Sequence, residues 1–149
     1  MDPRIAIKRR WADEDVALLS FEVCDGRSIF VNEAYVSLDW GSSTAKALNT
    51  FSHQVHGGLF NLEAGDEGSE YASGAFRARF HYWRPTALLI STWQQGEFFA
   101  FKGNEVASEA KMFLRTEPSL LDRFVDGLPA VDRDGSDEVC LECLQLDTQ

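Results

Sequence analysis

The clearest pattern in the chain runs over residues 75–84. Phe76, Ala78, Phe80 and Tyr82 fall on one parity, and Arg77, Arg79, His81 and Trp83 on the other. A period of two is that of a strand with one buried face. Pro85 interrupts it, because proline cannot donate to a ladder. Residues 86–93 read as a strongly apolar strand, 94–96 as a turn and 97–102 as another strand, ended by Gly103-Asn104. Near the start, residues 4–9, 16–24 and 28–38 read as strands. Asp25-Gly26 joins the second to the third, and both residues tolerate the positive φ of a hairpin turn. In the third strand Ile29, Val31 and Tyr35 stand among polar residues, so its alternation is imperfect.

Helical spacing appears next. Ala45, Leu48, Phe51, Val55 and Leu59 recur at intervals of three and four. Ser42 or Ser43 is placed to cap this helix, and Gly57-Gly58 to end it. Residues 61–73, rich in Gly, Ser and acid, read as an exposed loop. Residues 105–115 fit either period; their place after a run of strands favours a strand. A short helix is expected from Pro118 to Gly127, capped by Thr116, with proline in the first turn where its missing N–H costs nothing. Residues 132–137 form a polar loop, and 139–146 a last strand.

Residues 1–149 are thus expected to form a single α+β domain. Its core is a curved, mostly antiparallel sheet of about six to eight strands packed on one long helix. A second short helix lies near the C-terminus. Runs of strands without βαβ alternation argue against a doubly wound nucleotide-binding fold.

Charge narrows the functions. The 149 residues hold 24 acids and 14 bases, a net −10. Such a field repels phosphate backbones and anionic membranes, so neither nucleic acid nor membrane is an expected partner. The first ten residues lack the apolar stretch of a secretory signal, and no apolar run spans a bilayer. Three cysteines, an odd number, fit a reduced, cytoplasmic chain.

No phosphate-binding glycine loop and no G-x-S-x-G elbow occurs. Cys140 and Cys143 form a CxxC pair, and His53 and His56 lie three apart on the first helix. Together they have the ligand types of a tetrahedral zinc site. Yet residues three apart on a strand face opposite sides, which favours packed cysteines and surface histidines. No metal and no cofactor is therefore expected. Acids cluster at 13–25, 63–70 and 132–142. In polar loops both members of a carboxylate pair ionise, which suits solvation or a basic partner better than acid–base catalysis. Trp83 beside Arg77, Arg79 and His81 has the composition of an interface hot spot.

The segment 96–128 carries a family resemblance. A strand through Phe98, Phe99 and Phe101 is followed by Gly103-Asn104 and an apolar strand through Met112 and Leu114. Then comes Thr116-Glu117-Pro118, which opens a helix with Leu121 and Phe124 three apart. This resembles the C-terminal part of bacterial toxin-immunity proteins of the WapI type. The resemblance implies a non-enzymatic inhibitor of a cognate toxin domain. The matching residues are scaffold and carry no binding role. The composition adds that such a toxin would be basic, as many nucleases are, and the acidic middle loop would meet it. The partner-binding residues expected are Glu63, Asp66, Glu67, Glu70 and Tyr71, on a monomer or homodimer. Two other readings stand beside it: a small-molecule-binding or enzymatic domain around an aromatic pocket, and a homodimeric adaptor.

Overall fold

The parity along residues 75–84 carries through the fold, from inward apolar rows to outward charged ones. In the computed structural model, residues 1–54, 58–68, 74–133, 135 and 138–146 are described. In chain order these hold β1 (Arg4–Ala12), β2 (Val16–Cys24), β3 (Ile29–Ser37), α1 (Trp40–Ser52), β4 (Leu59–Ala64), β5 (Ala75–Arg84) and β6 (Ala87–Gln95). There follow β7 (Phe99–Phe101), β8 (Asn104–Val106), β9 (Glu109–Thr116), α2 (Pro118–Gly127), a 3-10 helix (Leu128–Asp132) and β10 (Val139–Glu142).

The strands do not make the one curved sheet expected. They form two four-stranded antiparallel sheets, β10-β1-β2-β3 and β4-β5-β6-β9, and a separate ribbon β7-β8. Each meander closes its own hydrogen-bond ladder, and α1 intervenes between them. Ten strands replace six to eight for two reasons. Residues 105–115 split into β8 and β9, and part of the expected loop at 61–73 is β4. In β4 the inward residues Leu62 and Ala64 are buried while Asn61 and Glu63 face out. Few apolar residues mark such a half-buried strand in sequence.

The core is a single cluster that joins both sheets and both helices. From β2 come Leu19 and Phe21, from β5 Phe76 and Phe80, and from β6 Leu88 and Ile90. Leu48 and Phe51 enter from α1, and Leu121 and Phe124 from α2. The Phe21 and Phe76 rings stack across the two sheets at 4.5 Å. Beside them runs a polar seam. The Gln94 side-chain amide donates to the carbonyls of Phe21 and Phe30 and to Asn32 Oδ1. Asn32 Nδ2 donates in turn to the carbonyls of Ala75 and Gln95. Side chains thus bridge the sheets where no ladder does. In β3 the inward row is Asn32, Ala34 and Val36, whereas Ile29 and Val31 face solvent.

The helix caps differ from expectation. Helix α1 starts at Trp40, and Asp132 satisfies its first N–H groups from across the fold. Asp132 Oδ1 accepts from the Gly41 N–H at 2.7 Å, and Oδ2 from the Ser42 N–H at 2.8 Å. Ser42 Oγ itself donates to Asp132 instead of capping. The last residue of α1 is Ser52, earlier than Val55; residues 55–57 lie outside those described. Thr116 does not cap α2. Its hydroxyl donates to the Glu142 carbonyl, while Pro118 opens the helix as expected.

Candidate functional site

The middle acidic segment follows the edge strand β4. Glu63 is exposed and pairs in register with Arg77, while its carbonyl accepts from Trp40 Nε1 at 2.9 Å. After Ala64 the chain turns at Gly65 (φ 71°), where a β-carbon would lie 2.3 Å from the Gly74 carbonyl. Only glycine fits that conformation and that approach. Asp66 and Glu67 follow, both exposed. The Gly68 N–H donates to Gln95 Oε1 at 3.3 Å, and the Gly74 N–H to the Glu33 carbonyl at 3.1 Å. Both ends of the segment are therefore fastened where the two sheets meet. Glu70 and Tyr71 lie outside the described residues.

Arg77 sets the electrostatics of this corner. Its Nε lies 3.9 Å from Glu67 Oε1, and its Nη1 donates to the carbonyls of Ala64 and Phe76. The structure thus brings Glu67 to the guanidinium, sets Glu63 beside Arg77 in register, and leaves Asp66 exposed. Attraction of a cation by this corner is weaker than the acid count suggests, because one fixed base already sits within it.

Next to the corner rises the ribbon β7-β8, which sequence analysis treated as ordinary sheet. It starts just past Gly96, whose N–H donates to the Ser108 carbonyl at 2.8 Å. Its turn, Lys102-Gly103, has φ of 51° and 82°. Positive φ at both central residues suits the twist of a tight hairpin. Phe99 and Phe101, two apart on one strand, are 53% and 54% exposed. The cue in sequence was the tight turn itself. The strand pattern did not show that both aromatic side chains stay about half exposed.

A groove of about 580 Å³ lies at the foot of the ribbon, open to solvent. Leu18, Val31, Tyr35, Arg10, Glu33 and Glu97 line it. Arg10 Nε and Glu33 Oε2 are 3.7 Å apart, and Trp11 packs edge-on against Tyr35. A smaller groove of about 300 Å³ crosses the outer face of the second sheet, between Glu63, Arg79, Trp93 and Lys111.

Several other acids serve the backbone. Asp13 accepts from the N–H groups of Asp15 and Val16, which hold its carboxyl below the usual range. Burial pushes Asp25 up, but the N–H groups of Arg27 and Ser28 outweigh it, and the net shift is down. Asp132 is committed to α1. Two of the three sequence clusters thus contribute structural acids.

The cysteines are free thiols. Burial pushes Cys143 up to about 12, with Cys140 adding to it. Burial, with the charge of Glu138, also raises Cys140. Both are protonated at neutral pH and poor nucleophiles. Among the described residues no group of three or more His, Cys, Asp or Glu is placed to hold a metal. His53 is exposed, its Nδ1 2.8 Å from the Asn49 carbonyl, and His56 lies outside the described residues. No helix among the described residues is long and apolar enough to cross a membrane.

No family model matches the chain, and neither a curated protein nor a solved structure is similar to it.

Proposed function

We propose that the protein is a non-enzymatic inhibitor that captures a basic protein domain, in the manner of a cytoplasmic immunity protein neutralising its cognate toxin. One observation carries the reading. Exposed acids at Asp66 and Glu67 are fastened beside the root of a ribbon that presents Phe99 and Phe101 to solvent. Acids steer a basic partner and raise its rate of encounter; aromatic side chains, once covered, supply the affinity that slows release. An inhibitor needs both, set close together on a rigid scaffold.

The test is a binding measurement against the product of the adjacent upstream gene. Asp66→Lys with Glu67→Lys lowers the association rate, and the effect fades at high salt. Phe99→Ser with Phe101→Ser raises the dissociation rate. No binding at low salt overturns the proposal, and binding untouched by either pair removes this corner from it.

A further inference from the structure

The outer face of the second sheet has a sign opposite to that of the molecule. The register stacks its outward residues in rows across β4, β5, β6 and β9. The first is Glu63–Arg77–Trp93–Lys111, the second Asn61–Arg79–Ser91–Phe113 and the third Leu59–His81–Leu89–Arg115. Among the described residues acids border the first row, and the exposed Glu117 lies two past Arg115 at the other end. Glu67 pairs with Arg77, Glu63 stands beside Arg77 in register, and Glu109 accepts from Trp93 Nε1 at 2.9 Å. The second and third rows contain no acid. They carry Arg79 and His81, together with Arg115, which is already engaged within the chain, and two apolar side chains, Phe113, 54% exposed, and Leu89, half-buried. Lys111 Nζ lies 5.8 Å from the Phe113 ring.

We propose that this face docks an extended acidic segment of a partner protein. Charge complementarity selects the occupant: this is a local cationic field on a chain of net −10. Spacing supports it. Arg79 and His81 point outward from one strand two residues apart, roughly 6.6 Å, the distance between same-side carboxylates on an extended peptide. Arginine takes a carboxylate in a two-pronged bond. Phe113 and Leu89 lie between the bases and cover an apolar side chain carried among the acids. A polynucleotide is the poorer fit, because its continuous phosphate backbone leaves the second and third rows and meets Glu63, Glu67 and Glu109. The inference does not rest on the toxin-inhibitor reading: the acidic corner adjoins its first row only, and the partner segment has the opposite charge.

The experiment uses the full chain and a fluorescently labelled short peptide alternating Glu with Phe, followed by anisotropy at low and high salt. Its controls are the same peptide with Gln for Glu, and a labelled oligothymidylate. The Glu peptide binds, loses affinity as salt rises, and exceeds the Gln peptide by about tenfold or more. Arg79→Glu with Lys111→Glu lowers its affinity by at least about tenfold, and Arg79→Gln with Lys111→Gln by less. Both side chains face solvent, so the fold persists, which circular dichroism checks. Asp66→Lys with Glu67→Lys leaves the affinity unchanged or raises it. Equal binding of the Gln peptide, indifference to the Arg79 and Lys111 changes, or tighter binding of the oligothymidylate overturns the proposal.

Discussion

The ribbon β7-β8 and the start of α1 are opposites. The ribbon is built from neighbours in sequence: a two-residue turn and two short strands that pair with each other. Its aromatic side chains stay in water. The start of α1 is built from residues some ninety positions apart, because Asp132 caps it from the far end of the chain. Trp40 and Gly41 there are buried, while Ser42 is exposed. A β-carbon on Gly41 would meet the Leu128 carbonyl at 2.5 Å and the Val131 side chain at 2.6 Å. Arg9 completes the junction by donating to the Asp132 carbonyl. Local encoding therefore coincides with exposure, and long-range assembly with stability. This follows from energetics. A two-stranded hairpin alone is at best marginally stable in water, while a buried junction is held by every group around it.

The contrast makes graded predictions. Gly41→Ala has the largest effect, because backbone and core must both shift; it costs about 2–3 kcal/mol in thermal or denaturant unfolding. Asp132→Ala leaves two helix N–H groups without their acceptor and costs about 1–2 kcal/mol. Gly103→Ala meets no neighbouring atom, so its cost is only the left-handed backbone, about 1 kcal/mol. That cost falls on the ribbon alone: amide exchange speeds up in β7 and β8 while global unfolding is unchanged. Phe99→Ser with Phe101→Ser changes global stability by less than about 0.5 kcal/mol each. A larger loss there would mean that the ribbon packs on the body, and the contrast would fail.

A smaller effect follows pH. The Asp25 carboxyl lies below its usual value in the folded chain. Its stabilising contribution is therefore complete above the unfolded value, near 3.9, and is lost as pH falls through the folded one. Asp25→Asn keeps an acceptor oxygen without the charge. The wild-type advantage over this variant should hold at neutral pH, begin to fall at about pH 3.9 and vanish only below the folded value in unfolding curves. An advantage independent of pH would assign the turn to geometry alone.

Much of the fold was legible where one face alone is buried. Along β5 the alternation named Phe76, Phe80 and Tyr82 as inward and Arg77, Arg79 and His81 as outward, and each lies there. Tyr82 even closes onto α1, its hydroxyl donating to the Ser52 carbonyl. The strand β3 showed only imperfect alternation because Ile29 and Val31 face water while a buried row of Asn32 and Ala34 takes the polar seam. Composition marks apolar cores, but a buried amide with partners in another sheet reads as surface. The acidic corner was legible as composition. Its fixed base, Arg77, and its aromatic neighbour, the ribbon, were not, since both reach it through pairing across strands.

By itself the sequence determined what depends on near neighbours. It set the period of β5, the chain reversals that follow Asp25 and that include Gly103, and the opening of α2 at Pro118. It also set the net negative charge. Tertiary structure alone decided that there are two sheets, that Asp132 caps α1, and that Arg79, Lys111 and Phe113 share one face. Hydrogen-bond register across strands and packing across the core act between residues far apart in the chain. No local pattern carries that information, because the energy that selects it appears only when distant segments meet.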